Sequence, residues 1–180
     1  MDLGISGKTA LVSASSAGLG FASALALAEA GCKTVISGRN EERLMHAASK
    51  IPNSIPVIAD VSTVKGSQAL VQDAKSQLGT NIDILITNAG GPPTGTFAST
   101  DVDQYLTAIE LNLMSVVTMC KETVPDMQEK KWGRVLAITS ISVRQPIPNI
   151  MLSNTARAGV TGFLKTMALE TASDGVTVLD

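Results

Sequence analysis

The stretch Ser13-Ala14-Ser15-Ser16-Ala17-Gly18-Leu19-Gly20 decides the fold of this 180-residue chain. It connects the apolar run Thr9–Val12, a predicted strand, to the alanine-rich residues 21–30, a predicted helix. Small side chains in such a turn let the backbone approach a phosphate closely, and the first N–H groups of the helix have no intrahelical partners. The turn therefore predicts a dinucleotide-phosphate site, whose residues are Ser13, Ser15, Ser16, Gly18, Leu19 and Gly20.

Five further apolar runs of strand type follow the first, with helical stretches between them. They occupy residues 34–37, 55–59, 82–87, 135–139 and 176–179. Continuous apolar runs suit a sheet that is buried on both faces, and crossovers of this length suit parallel pairing. The predicted fold is therefore α/β, a doubly wound parallel sheet of Rossmann type with six strands, in a single dinucleotide-binding domain over residues 1–180.

Composition and charge argue against several classes of function. Lysines and arginines are interspersed with acidic residues and the formal net charge is only −2, so we expect no nucleic-acid partner and no membrane-surface binding. No apolar run reaches the length of a membrane span, and residues 1–4 lack the features of a secretory signal, which favours a cytoplasmic protein. Cys32 and Cys120 stand alone in apolar contexts, so we expect neither a disulfide nor a metal site.

Polar residues at the ends of the next three strands extend the predicted nucleotide site. Arg39 follows the second strand, where a carboxylate would bind the ribose of NAD; because a guanidinium can hold a 2′-phosphate instead, the predicted cofactor is NADP(H). This preference depends mainly on Arg39, since Ala17 supplies no second cation, and Arg39 could also be only a solvated strand-end residue. Asp60 could bind the adenine amino group or form a turn or helix N-cap. Asn88-Ala89-Gly90 would let the backbone pass under the cofactor.

Two later helical stretches carry polar side chains on faces that are otherwise apolar. In residues 103–128 an apolar stripe begins at Leu106 and contains Asn112, whose buried amide must find partners. In residues 153–173, Ser153 and Arg157 are four positions apart and share one face near the start of the helix. Both of these side chains could therefore approach one ligand.

These motifs, in this order, resemble those of the short-chain dehydrogenase/reductase family, especially its 3-oxoacyl-acyl-carrier-protein reductase-like branch. Residues 13–20 resemble its TGxxxGxG turn, with Ser and Ala in the first two positions. The other matching residues are Asp60-Val61 (adenine-side pair), Asn88-Ala89-Gly90 (NAG element), Asn112 (helix asparagine) and Ser140 (catalytic serine). The resemblance implies an NADP(H)-dependent oxidoreductase that reduces a keto group, in a small-molecule or acyl-carried substrate, by hydride transfer. It also implies a homo-oligomer that pairs through residues 103–128 and 153–173.

The chain departs from the family where the family has its YxxxK motif. Ser153 stands thirteen residues after Ser140 in place of the tyrosine, and Arg157 replaces the lysine. A serine hydroxyl is a much weaker acid than tyrosine, so Ser153 would need a bridging water or a substrate group to deliver a proton; it could equally be a helix N-cap. Arg157 could hold the nicotinamide ribose and stabilise an oxyanion. Ser140 would orient the carbonyl, and Asn112 would hold a water or the helix geometry.

The family also continues beyond the strand at residues 176–179 into a cofactor loop, a substrate-covering segment and one more strand. We therefore expect a C-terminally truncated domain with the last family strand missing and the sixth strand as an open edge. The altered residues favour, as an alternative, a non-catalytic NADP(H)-binding protein that acts as a sensor or partner subunit. In a third interpretation the domain keeps the fold, binds nothing tightly and acts through subunit contacts.

Overall fold

Six strands form one parallel sheet in the computed structural model, which describes residues 3–180. The strands are β1 (Thr9–Val12), β2 (Lys33–Gly38), β3 (Ile55–Ile58), β4 (Ile84–Thr87), β5 (Gly133–Ala137) and β6 (Val176–Leu179). Their order across the sheet is β3-β2-β1-β4-β5-β6, and every neighbouring pair is parallel. The chain reverses its direction of winding between β1 and β4, which is the doubly wound arrangement of a Rossmann fold. The predicted fold class is confirmed.

Helices connect the strands and cover both faces of the sheet. They are α1 (Gly18–Glu29), α2 (Glu41–Ala48), α3 (Val64–Leu78), α4 (Val102–Ile109), α5 (Ser115–Glu129) and α6 (Met151–Thr171). The stretch predicted as one helix over residues 103–128 is two helices, α4 and α5, joined by a π-helical turn at Glu110–Met114. Within residues 3–180, no helix has both the length and the apolar character that a membrane crossing requires.

The core lies on both sides of the sheet, as continuous apolar strands require. Leu11 points into a cluster with α3, α5 and α6, whereas its neighbours Ala10 and Val12 point into a cluster with α1 and α2. Leu106, predicted to begin the buried stripe, is 67% exposed. The π-helical turn adds a residue to the helical repeat, so the apolar positions before and after it do not lie on one face.

Asp83 is a buried acid at the amino edge of the sheet, opposite the ends of the strands discussed below. Its carboxylate accepts a hydrogen bond from the Thr9 N–H at 3.1 Å and forms an ion pair with Lys130. Burial would raise the pKa of this carboxyl, but the hydrogen bonds from Lys130 and Thr9 and the positive charges of Lys130 and Lys8 together hold it below its ordinary value. The charged form of Asp83 therefore stabilises the folded chain.

We predict that Asp83→Asn lowers the free energy of unfolding at pH 7 by about 1–3 kcal/mol, because Lys130 loses its buried partner. Since the pKa in the folded state lies below the unfolded value of about 3.9, the stabilisation is present above that value and is lost as the pH falls through the folded pKa. Urea unfolding from about pH 7 to about pH 3 measures this. Asp73→Asn, at an exposed position of α3, is the control. A loss that is equal at both pH values would contradict the electrostatic explanation.

Candidate functional site

The carboxyl ends of β1 to β5 border one open cleft of about 560 Å³. It lies where the winding direction reverses between β1 and β4, the usual place for a ligand in an open α/β sheet. Among the predicted nucleotide-site residues, those that line it are Ser16, Gly18, Leu19, Arg39, Asp60, Val61, Asn88, Ala89, Gly90 and Arg157. The structure thus brings together residues that are up to about 140 positions apart in the sequence.

Ser13 and Ser15 lie beneath the cleft and do not line it. The Ser13 hydroxyl donates to the carbonyl oxygen of Asn88 at 2.7 Å and accepts from the Asn88 N–H at 2.8 Å. The Ser15 hydroxyl donates to the Val12 carbonyl at 2.7 Å and accepts from the Ser37 N–H at 2.9 Å. These two serines therefore tie the turn after β1 to the ends of β4 and β2.

Gly18 and Gly20 allow the turn after β1 to pack closely where it leads into α1. Gly18 has φ +60°, and Gly20 is buried so that a Cβ there would lie 2.7 Å from the Ala14 carbonyl oxygen and 2.8 Å from Nδ2 of Asn88. The N-cap residue, Ala17, offers no side-chain hydrogen bond, and the first turn of α1 contains no acidic residue. The N–H groups at the start of α1 are therefore available to an anion in the cleft.

Arg39 and Asp60 face each other at the mouth of the cleft. The Arg39 side chain is 74% exposed, and its Nη1 lies 4.0 Å from Oδ2 of Asp60. Asp60 Oδ1 accepts from the Ser62 N–H at 3.0 Å, which makes Asp60 a turn residue, whereas the N-cap of α3 is Thr63. Partial burial would raise the pKa of the Asp60 carboxyl, but the hydrogen bonds from Ser62 and the Arg39 guanidinium hold it below its ordinary value.

Arg43 is a cation of the cleft that sequence reasoning missed. Ala17 supplies no cation, as predicted, but Arg43 borders the cleft together with Arg39. Asn40 caps α2 by accepting the Arg43 N–H at 2.8 Å, and this places Arg43 in the first helical turn, on the border of the cleft. The signal in the sequence was Asn40 itself, a preferred N-cap residue directly after a predicted strand.

Asn112 lies on the π-helical turn and is only 3% exposed. Its Nδ2 donates to the Gly90 carbonyl at 2.9 Å, whereas its Oδ1 and the Thr87 hydroxyl have no hydrogen-bond partner among the described residues. Asn112 and Thr87 border a cavity of about 10 Å³ together with Arg157. That volume is roughly one water molecule, which would satisfy both polar atoms.

Arg157 joins the cleft to the end of β5. Its Nη1 donates to the carbonyl oxygens of Ile138 at 2.9 Å and Thr139 at 3.2 Å, and burial lowers the pKa of its guanidinium, which stays charged at neutral pH. Ser140 follows Thr139 and borders a second cleft of about 670 Å³, which shares Leu19 and Thr139 with the first. The two clefts are therefore adjacent, and Ser140 and Arg157 lie on either side of their junction.

Ser153 does not lie at either of the two clefts. It is the third residue of α6, whose N-cap is Ile150, so the alternative that Ser153 caps the helix is wrong. Its side chain is half-buried, makes no hydrogen bond within residues 3–180, and is not among the residues that border either cleft. Ser153 thus supplies no proton donor that reaches either cleft.

The short chain dehydrogenase family model matches residues 8–180, and the chain belongs to this family. A 3-oxoacyl-[acyl-carrier-protein] reductase from Synechocystis is 34% identical, over 97% of this chain and 72% of the relative. Nodulation protein G from Azospirillum brasilense is 33% identical over the same shares. The crystal structure of L-sorbose reductase from Gluconobacter frateurii, complexed with NADPH and L-sorbose, superposes with a TM-score of 0.93 at 32% identity, over 99% of this chain and 69% of that structure. The chain is therefore a member of a family of oxidoreductases.

Ala14 has φ +46°, a left-handed conformation that a Cβ atom disfavours. We predict that Ala14→Gly raises the free energy of unfolding by about 1 kcal/mol, because the relief of backbone strain exceeds the extra entropy of glycine in the unfolded chain. The matched control is Ala30→Gly, since Ala30 is also half-buried but has φ −79° and should gain no stability. Thermal and urea unfolding measure both changes. Equal effects at the two positions would show that Ala14 is not strained.

Proposed function

We propose that this chain binds NADP(H) in the first cleft and reduces a keto group of a small-molecule or acyl-carried substrate in the second. The observation that supports the proposal most strongly is the set of strand ends that border the first cleft. The cleft extends from the start of α1, which has no side-chain cap, to Arg157. This arrangement suits a ligand whose phosphates bind at the start of α1 and whose reacting group lies near Arg157. The similarity to an L-sorbose reductase complexed with NADPH adds support.

Arg39 and Arg43 favour NADP(H) over NAD(H). Both border the adenine end of the cleft, where a guanidinium can bind a 2′-phosphate through two parallel hydrogen bonds. Asp60 lies beside Arg39, but at 4.0 Å and on an exposed surface the pair is weakly held. Arg39 can therefore leave Asp60 for a doubly charged phosphate.

When bound, NADPH supplies a hydride to the keto carbon, and the carbonyl oxygen takes up a proton to become a hydroxyl. Ser140 borders the cleft where this oxygen would lie, so its hydroxyl can donate to the oxygen and orient the carbonyl. Arg157 holds the junction between the clefts and stabilises negative charge that develops there. A water beside Asn112 and Arg157 can relay this proton from the solvent of the open cleft, which replaces the proton that the water gives up, since Ser153 does not reach the cleft.

A second candidate function is a non-catalytic NADP(H)-binding protein. The placement of Ser153 favours it, because a half-buried serine outside both clefts cannot replace the acid group of a tyrosine. Binding in the first cleft would be the same in both cases. The rate at which the chain reduces ketones with NADPH distinguishes the two functions.

We also propose that the chain forms a homo-oligomer through α5 and α6. A groove of about 320 Å³ lies between these helices, and its border includes the exposed Pro125 of α5 and the half-buried Phe163 of α6. Accessible apolar side chains in such a groove are typical of a subunit interface.

We predict that the double variant Arg39→Ala/Arg43→Ala loses at least tenfold in affinity for NADPH, about 1.4 kcal/mol, and keeps its affinity for NADH, because only the 2′-phosphate needs these cations. Titration of nicotinamide fluorescence measures both affinities. Lys50→Ala is the control, since Lys50 is exposed at the end of the same α2 segment and borders neither cleft. Equal losses for both coenzymes would contradict the NADP(H) assignment.

We predict that Ser153→Tyr/Arg157→Lys raises the turnover of ketones by NADPH by about 10²-fold or more, because it adds the acid group that the site lacks. The control is Thr155→Tyr/Arg157→Lys, in which the tyrosine lies on an exposed part of α6. The loss of NADPH absorbance measures the rate. A parent chain that turns over as fast as the variant would exclude the non-catalytic function, and a parent with no turnover would support it.

A further inference from the structure

The second cleft carries a cation that neither the fold nor the proposed cofactor uses. Arg144 borders this cleft together with Ser140, Gln145 and Asp180. Arg144 is exposed, and its side chain forms no ion pair or hydrogen bond within residues 3–180. Asp180 is the other charged residue on the border, and its carboxylate accepts from the Thr161 hydroxyl at 2.9 Å. The guanidinium of Arg144 is therefore free to bind a ligand.

A short turn holds Arg144 at a defined distance from Ser140. The Val143 N–H donates to the Ser140 carbonyl and the Arg144 N–H to the Ile141 carbonyl, both at 3.1 Å, which forms a 3₁₀ turn. The Ser140 hydroxyl accepts from the Ser142 N–H at 3.1 Å, so the serine is part of the same turn. With a rise of about 2 Å per residue, the backbone of Arg144 lies roughly 8 Å along the turn from Ser140. A group bound to Arg144 is thus several bonds away from a carbonyl at Ser140.

The chemistry of Arg144 determines what that group is. A guanidinium binds carboxylates and phosphates through two parallel hydrogen bonds between opposite charges, whereas it can only donate to a neutral hydroxyl or carbonyl oxygen without that charge attraction. The phosphates of a dinucleotide already have partners in the first cleft, at the start of α1 and at Arg39 and Arg43. Arg144 borders only the cleft of Ser140. The anion that it would bind therefore belongs to the substrate.

We propose that Arg144 is a specificity-determining residue that selects keto substrates with an anionic group, a carboxylate or a phosphate, a few bonds from the reacting carbonyl. This inference rests on the proposed function, because it takes the Ser140 cleft as the substrate site. It concerns binding of the substrate, so that it can be tested without turnover.

The test is calorimetric titration of the full chain, loaded with NADP⁺, with pairs of ketones that differ only in charge. Two pairs are 4-oxopentanoate and 5-oxohexanoate, each beside its methyl ester; a third pair is dihydroxyacetone phosphate beside dihydroxyacetone. We expect about tenfold tighter binding of the anionic member of at least one pair, with an advantage that falls as salt is added. The carboxylate pairs and the phosphate pair distinguish the two sources of the anion.

Arg144→Gln should remove this advantage, Arg144→Lys should keep part of it, and Lys165→Gln should leave it unchanged, since Lys165 is exposed on α6 and borders neither cleft. Equal affinity for both members of every pair, including no binding of either, would overturn the proposal. So would an anion preference that survives Arg144→Gln. Turnover of the methyl esters with NADPH is measured separately: if it is absent while the Arg144-dependent preference is present, the proposed reaction fails and the anion site stands.

Discussion

The hydrogen bonds of Asn88 to the turn after β1 are the interaction on which the site depends. The Asn88 backbone exchanges two hydrogen bonds with the Ser13 hydroxyl, and its side chain donates to the Ala14 carbonyl at 2.9 Å. These contacts join the ends of β1 and β4, the two strands between which the winding direction reverses. These contacts use the Ser13 hydroxyl and the Ala14 carbonyl, and the N–H groups at the start of α1, which has no side-chain cap, stay open to the cleft.

The residues that we propose to bind the cofactor and those that we propose to act in the reaction lie along one line of strand ends. Cations stand at both ends of the first cleft, Arg39 and Arg43 beside β2 and Arg157 beside β5. At the β5 end, Arg157 binds the carbonyl oxygens of Ile138 and Thr139 and so fixes the backbone that leads to Ser140. Ser153, which stands where the family resemblance implies a tyrosine, lies outside both clefts. The proposed cofactor-binding residues are thus brought together at the first cleft, whereas Ser153, the candidate proton donor, is not.

Much of the fold could be predicted from the sequence, because continuous apolar runs and a small-residue turn are local signals. The predicted strand at residues 82–87 begins at Ile84 in the structure, since Asp83 bonds to Thr9 and Lys130 at the sheet edge before the strand begins. The π-helical turn at Asn112 has no local signature, so the two helices around it read as one. The position of Ser153 depends on where α6 starts, and helix boundaries are set partly by tertiary contacts, such as that between Met151 N–H and the Gly95 carbonyl.

A nicotinamide dinucleotide that binds as we propose lies across these strand ends with its phosphates at the start of α1. Amide ¹H–¹⁵N chemical shifts of the full chain, followed during a titration with NADPH, test this placement most directly. We expect saturable shifts at Gly18 and Leu19, at Arg39 and at Gly90, which line the cleft, and little change at the amino edge near Asp83. Shifts that are absent at saturating NADPH, or that cluster away from the start of α1, would contradict it.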